Sequence, residues 1–454
     1  MTKRTNRKRI WGWWFFDWAN QPYHTLLVTF VFSPFFAAVA TDYFLSLGSA
    51  PESAQAEAQA LWALCMTLTG LTIGLSAPFI GAMADIAGRR RPWIVIFSLI
   101  AFFGAWGIWF MDPGGSNLYL ILLSFGIGFI GAEFALIFVN AQLPSLGSKE
   151  EVGDISGSGF AFGYLGGVIS LFIMLLLFVE QDSGKTLIGL DPILGLDAVA
   201  REGTRAVGPF VALWLLVFMI PYMLWCTETP RPRKSGGVAL AFATVVQSIA
   251  QLRHRRSLAG FLGASMLYRD ALNGLYAFGG VYARLVLDWS ITQIGIFGIV
   301  AAISAALFSW LGGKADRAFG PKPVIITAIV VLMAVCATIV GMSRTQIFGI
   351  ALTEGSTLPD TLFFICGVLI GGFGGILQST SRSLMVRHTR PDQATEAFGL
   401  YGLSGRATAF LAPALIGIAT TMSGSARLGL LPVIGLFVLG LVLLAWVRAE
   451  GDQA

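Results

Sequence analysis

Stretches of about 20 nearly unbroken apolar residues recur along the chain, separated by short charged or Gly- and Pro-containing segments, and each is long enough to cross a hydrocarbon layer roughly 30 Å thick. Twelve windows meet that criterion. The first six run over Phe15–Ala38, Leu61–Ala84, Trp93–Met111, Leu118–Asn140, Ser158–Val179 and Gly208–Cys226. The second six run over Ala259–Ala283, Gln293–Gly313, Pro323–Met342, Thr361–Ser381, Ala397–Thr421 and Gly429–Val447. They are apolar on every face, whereas membrane barrel strands alternate over about ten residues. The pattern predicts an all-α membrane protein with twelve transmembrane helices.

Composition agrees. Of 454 residues 56% are hydrophobic and only 12% charged, and the mean hydropathy is +0.74. So little charge cannot cover a water-soluble chain of this size, which excludes soluble enzymes, fibrous proteins and disordered scaffolds. The formal charge of +5 would suit nucleic acid, but its placement explains it differently. With the N-terminus in the cytoplasm, 22 of the 30 Lys and Arg residues fall in inner segments and five in outer loops; the other three, Arg269, Arg284 and Arg406, lie inside windows or at the end of one. That bias orients both termini toward the cytoplasm and leaves no nucleic-acid partner to invoke. The basic start resembles a signal peptide, yet the first apolar run contains Asp17, Asn20 and His24 and is expected to stay as the first span. Trp11, Trp13 and Trp14 are expected to anchor it at the interface. Cys65, Cys226, Cys336 and Cys366 stand singly in apolar windows, so no disulfide, metal or cofactor is expected.

The longest inner connection, Thr227 to Leu258, opens with Pro230, Pro232 and basic residues. Its second part places Val245, Val246, Ile249 and Leu252 at helical spacing before a basic end, which predicts an amphipathic helix on the inner membrane surface. Three parts follow: residues 1–228, a linker at 229–258, and residues 259–454. The outer two parts repeat. Asp17 and Asn20 in the first span match Asp270 and Asn273 in the seventh. Gly81, Asp85, Gly88, Arg89, Arg90 and Arg91 after the second span match Gly312, Gly313, Asp316, Arg317 and Gly320 after the eighth, and Phe162-Gly163-Tyr164 echoes Phe398-Gly399-Leu400-Tyr401. A duplicated six-span unit gives two pseudo-symmetric six-helix bundles, an arrangement that builds transporters with a site between the halves.

The loop containing Asp85 is the sharpest motif. Its glycines let helix ends approach, Asp85 can accept hydrogen bonds from a helix N-terminus, and its arginines meet the anionic inner surface. Asp85, Arg89, Arg90, Asp316 and Arg317, with Asp17, Asn20, Gly81 and Gly88, are therefore gating candidates. This loop resembles the signature between spans two and three of the major facilitator superfamily. Phe16 to Asn20, Leu267 to Asp270, Gly374 to Ser383 and Phe398 to Thr408 further resemble the vacuole effluxer-like branch, over essentially the whole chain. That branch is named after fungal autophagy-related proteins that release amino acids from the vacuole, and it often has a lysine where Arg406 stands. The resemblance implies that the first, fourth, seventh and tenth spans line a cavity. Asp17, Asn20, Glu133, Asn140, Asp270, Asn273, Gln378 and Arg382 would then face it.

Ionisable groups at bilayer depth are costly and mark candidate function. At 1.5 Å per residue, Asp270 and Arg406 lie about 16 and 14 Å from the inner end of their windows, a shared depth. Arg406 is expected to receive an anionic group such as a carboxylate, and Asp270 or Glu133 to carry a proton or meet a cationic group. A carboxylate holds its proton more tightly when buried and less tightly beside an arginine, so loading the site would change proton affinity. The alternative is a permanent Asp270–Arg406 pair that braces the bundle. Tyr268 and Tyr401, from the matching motifs, complete the solute or proton candidates. Glu133 has its own alternative, a carboxylate bonded to helix hydroxyls, His24 is expected to pack locally, and Arg284 to snorkel. Gly126, Gly128 and Gly131 imitate a nucleotide fingerprint, but without a preceding strand they predict close helix packing.

The expected function is a secondary transporter of a small polar or zwitterionic solute, amino-acid-like by resemblance alone, exporting by alternating access with a proton. A transporter-fold sensor or scaffold, or a carrier of lipid-like or drug-like cargo, are the alternatives; no enzyme motif is present. The expected setting is a bacterial inner membrane, as a monomer, with lipid, solute and proton as partners.

Overall fold

The computed structural model describes residues 3–181, 183–228, 232, 236–289, 291–390, 393–405, 408, 410–423, 425 and 427–452. Helix α1 (Lys3–Pro22) passes through a π-helical stretch, Tyr23–Phe30, into α2 (Phe32–Ser46). Then come α3 (Pro51–Ala87), α4 (Arg91–Trp106), α5 (Leu118–Asn140), α6 (Val152–Ile173), the short α7 (Glu202–Arg205) and α8 (Val207–Trp225). After α9 (Gly237–Gln251) follow α10 (Arg256–Val286), α11 (Ile291–Phe319) and α12 (Pro321–Gly341). A two-stranded hairpin, β1 (Gln346–Ile347) with β2 (Ile350–Ala351), precedes α13 (Leu358–His388), α14 (Ala394–Ser404), α15 (Leu411–Ser423) and α16 (Leu431–Ala445).

Among the described residues, ten helical stretches are long and apolar enough to cross a membrane. The seventh and eleventh predicted windows account for the difference. Helix α10 has 31 residues, ample length, but carries Arg269 and Asp270 within it. The window expected as one helix over 397–421 is two helices: α14 ends at Ser404 and α15 begins at Leu411. Gly405 follows α14 and Pro413 stands in the first turn of α15, the places where a chain leaves and re-enters a helix.

Pro22 explains the change of helix type in the first span. It has no N–H to return to the Trp18 carbonyl one turn back. The indole N–H of Trp214 on α8 donates to that oxygen instead, at 3.1 Å. Beyond Pro22 the ladder closes over five residues, as in the bond from Val31 N–H to the Leu26 carbonyl at 2.9 Å. The Thr29 hydroxyl returns to the His24 carbonyl at 3.0 Å. Such wide turns gather at functional sites.

Contacts divide the chain into two compact units. One comprises Met1–Ser76, Ala87–Val139 and Phe162–Arg233, the other Ala77–Ile86, Asn140–Ala161 and Lys234–Ala454. In lipid the hydrophobic effect does not drive helices together, so fit between small residues and rings must do so. In the first unit Trp18 stacks on Trp214 with centroids 5.8 Å apart and meets Phe162 at a tilt, at 4.6 Å. Trp13, expected at the interface, is fully buried and donates its N–H to the Val139 carbonyl at 2.9 Å, whereas Trp11 is exposed. Gly128 on α5 meets the backbone of Gly104 on α4, and a Cβ on Gly131 would stand 2.7 Å from the Ala101 nitrogen. The glycine triad thus serves helix packing, as expected. In the second unit α11 packs along α13, α12 also lies against α13, and α10 lies on α16. Phe297 and Phe363 stack there at 4.9 Å.

Candidate solute site and latch

The second unit holds most of the candidate residues. At the end of α3, Asp85 caps α14. Its Oδ2 accepts the backbone N–H groups of Thr395 at 2.9 Å and Glu396 at 3.0 Å, and its Oδ1 accepts the Thr395 hydroxyl at 2.7 Å. A helix start leaves such N–H groups without intrahelical partners and carries partial positive charge, so a carboxylate is held there on both counts. Gly81, one turn earlier, permits the approach, since a Cβ would lie 2.7 Å from the Thr395 carbonyl oxygen.

The repeat is visible in the geometry. Asp316, near the end of α11, is 1% exposed and lies against Gly153 at the start of α6, as Asp85 lies at the start of α14. Among the described residues its two oxygens have no partner within strict hydrogen-bond geometry, and the Ser383 hydroxyl is a near neighbour. Beside it Arg317 reaches Asp154 on α6 at 3.6 Å.

Arg382 on α13 is buried and multiply bonded. Its Nε donates to the Ser156 hydroxyl at 2.9 Å, Nη2 to the Ser156 carbonyl at 2.8 Å, and Nη1 to Asn140 Oδ1 at 3.0 Å. The guanidinium also covers the Phe160 ring at 4.2 Å, and the Ser156 hydroxyl passes on to the Ser379 carbonyl at 2.7 Å. Asn140 and Arg382, both expected along a cavity, are thus joined to each other. Tyr268, fully buried, shares a 2.7 Å hydrogen bond with the Ser381 hydroxyl.

Asp270 is 2% exposed at the middle of α10. Its Oδ2 accepts the backbone N–H of Ala412, in the first turn of α15, at 3.0 Å, while Oδ1 is buried with no hydrogen-bond partner among the described residues. The broken eleventh span therefore ends one of its halves on this carboxylate, which the window reading of that span did not foresee. Arg406 lies outside the described residues, as does the proposed opposition of Asp270 and Arg406. Asn273, one turn along α10, is exposed, and Gln378 on α13 is half-buried. Tyr401 is buried on α14, stacked on Phe261 at 6.0 Å. The Arg269 guanidinium sits over the Tyr401 ring, 4.5 Å from its centroid, and donates to the Tyr401 carbonyl at 3.2 Å. Arg269 was not among the sequence candidates, although an arginine beside Asp270 at bilayer depth was a readable signal. Ser156 was missed too, and a serine just ahead of a Gly-rich window offered no signal.

In the first unit, Glu133 on α5 lies 3.7 Å from His24 Nε2, and the His24 ring meets Phe129 edge-on at 5.8 Å. His24, expected to pack locally, is set toward α5 by the π-helical stretch. Asp17 and Asn20 are buried on α1, and a Cβ on Gly163 of α6 would lie 3.2 Å from the Asp17 carbonyl oxygen. Gly88, at φ +72°, turns the chain from α3 toward α4. The backbone N–H groups of Arg90 and Arg91 then donate to the Glu228 carboxylate at 2.8 and 2.9 Å, Arg90 being buried and Arg89 exposed. Side chains of Arg284 and its neighbour Leu285 lie outside the described part.

Residues 5–453 match the vacuole effluxer Atg22-like family. The chain belongs to that family. Among Atg22-like relatives, the uncharacterized MFS-type transporter YxiO of Bacillus subtilis is 24% identical over 452 residues, 99% of this chain and 97% of its own. Autophagy-related protein 22-1 of Aspergillus niger is 24% identical over 314 residues, 65% of this chain and 47% of its own. The chain thus spans less than half the length of that fungal relative. The outward conformation of FucP, a transporter of the major facilitator superfamily, superposes with a TM-score of 0.69 at 14% identity, covering 97% of this chain and 98% of FucP. A bacterial homologue of the iron transporter ferroportin, also outward-facing, gives 0.65 at 14% identity, covering 97% and 99%. The Atg22-like chain therefore has the twelve-helix major facilitator fold and is an integral membrane transporter of MFS type, not an enzyme.

Proposed function

We propose that this Atg22-like chain is a proton-coupled secondary transporter that exports a small polar or zwitterionic, amino-acid-like solute by alternating access. The reading places it as a monomer in a bacterial inner membrane with both termini in the cytoplasm, following the Lys and Arg distribution. The observation that carries it is the Asp270 carboxylate, buried at mid-helix with one oxygen on the start of α15 and the other unmet by any described residue. An unmet buried acceptor costs about 1–3 kcal/mol, and an ionised one more. A proton on Oδ1, or a cationic group of a bound solute, removes that cost. Asp270 thus has two alternative partners, and exchanging one for the other couples proton movement to solute movement. The α14–α15 break supports this reading because discontinuous helices in transporters place half-helix ends at solutes and ions near mid-membrane. Arg406, which the sequence sets within this break, is assigned the solute carboxylate.

On this account Asp85, Arg382 and their partners form the latch, with Asp316 and Arg317 as its second copy. Each of its bonds joins segments far apart in the chain, so opening must break several together. The test is counterflow of labelled amino acids into proteoliposomes preloaded with unlabelled ones. Exchange of at least one zwitterionic amino acid, lost in Arg406→Ala, is expected. Absence of exchange across the whole set, with the protein folded, removes the amino-acid assignment and favours a sensor, scaffold or lipid-like cargo.

A further inference from the structure

Helix α9 has two adjoining apolar faces, and the described residues cover one of them. On the covered side Ala241 is fully buried with Ala82 and Ile86 of α3, flanked by Phe79, Met83, Leu240 and Val245. These α3 residues bracket Asp85, whose carboxylate caps α14. On the other face Val238, Phe242, Val246 and Ile249 are 60%, 65%, 51% and 50% exposed. At 100° per residue the four fall within an arc of about 80°, a single stripe along the helix.

Charge says what covers that stripe. From Thr229 to Arg269 the sequence has no acidic residue, while Arg231, Arg233 and Lys234 precede α9 and Arg253, Arg255 and Arg256 follow it. Arg253 and Arg256 are exposed; Arg255 is committed to the His388 carbonyl at 2.6 Å. A helix with an apolar stripe between two basic clusters has the chemistry of an anionic bilayer surface, with acyl chains for the stripe and headgroups for the cations. We propose that α9 lies in an anionic leaflet through Phe242, Val246 and Ile249, and that its adjoining covered face transmits this seating to α3 and so steadies the Asp85 cap on α14. The lipid headgroup thereby becomes an effector of the latch. The idea rests on the latch reading above, but not on membrane orientation.

The full-length protein is reconstituted in nanodiscs of phosphatidylcholine, with or without phosphatidylglycerol, which supply both surfaces equally. Spin labels at Phe242→Cys, Val246→Cys and Ile249→Cys are expected to favour oxygen over a nickel complex, with Gln247→Cys showing the reverse. Phosphatidylglycerol should deepen all three, and Arg253→Gln with Arg256→Gln should abolish that response. Amide hydrogen exchange at Thr395 and Glu396 should slow about fivefold in the anionic discs, the order of one basic residue's attraction to such a surface. Nickel preference at the stripe, equal depth in both lipids, or spin coupling between two copies across it would each overturn the lipid assignment. Normal insertion with unchanged exchange at Thr395 and Glu396 would overturn the link to the latch while leaving transport itself to the counterflow test.

Discussion

Two buried ionic side chains in the second unit have opposite kinds of surroundings. Arg382 has its nitrogens spread over Ser156 and Asn140, with Phe160 beneath the guanidinium, so it acts as a joint that only an arginine's planar fork can fill. Arg382→Lys keeps the charge but not the fork. Loss of two hydrogen bonds to a charged group predicts about 3–6 kcal/mol less stability, read by thermal unfolding in detergent. Ser156→Ala should reproduce part of that loss. Asp270 is the contrary case, with one oxygen engaged and one unmet among the described residues, so Asp270→Asn should keep the α15 cap and unfold near the wild-type temperature, whereas Asp270→Ala should lose about 1 kcal/mol with the cap. Asp85 was legible in the sequence because glycines, an acid and arginines at fixed spacing describe a helix-end contact by themselves. The Ser156–Arg382 bond was not, because its partners lie over 200 positions apart and neither has a distinctive neighbourhood.

Helices expose what a hydropathy window averages away. The first span reads as one apolar stretch, yet Pro22 makes it an α-helix followed by π turns, with Trp214 supplying the donor that proline lacks. Trp214→Phe should cost about 1–3 kcal/mol by stranding the Trp18 carbonyl, and adding Pro22→Ala should restore much of it by returning a backbone N–H. Failure of that rescue, measured by unfolding temperature, would remove this account of the π stretch. The eleventh window shows the same limit. Apolar content over 397–421 was real, but Gly405 and Pro413 were the readable signs that one window holds two helices, and the twelve-span count was right without that detail.

At the scale of the molecule, the number of spans and the duplicated motifs were legible because bilayer thickness and gene repetition both write themselves in linear spacing. Which ends of α3, α5 and α6 join the second unit was not, since that depends on the conformation the chain occupies rather than on its sequence period. The repeat appears again as two acids, Asp85 and Asp316, at the starts of α14 and α6, and the account expects them to share one conformational load. Asp85→Ala should lose about 1 kcal/mol of cap and speed exchange of the Thr395 and Glu396 amides by about fivefold. The most direct measurement imposes a pH gradient on proteoliposomes and follows a labelled amino acid that exchanges. Wild-type protein should accumulate it against its gradient, while Asp270→Asn should still exchange it but no longer accumulate it. Equal accumulation by both proteins would contradict the central claim that Asp270 carries the coupled proton.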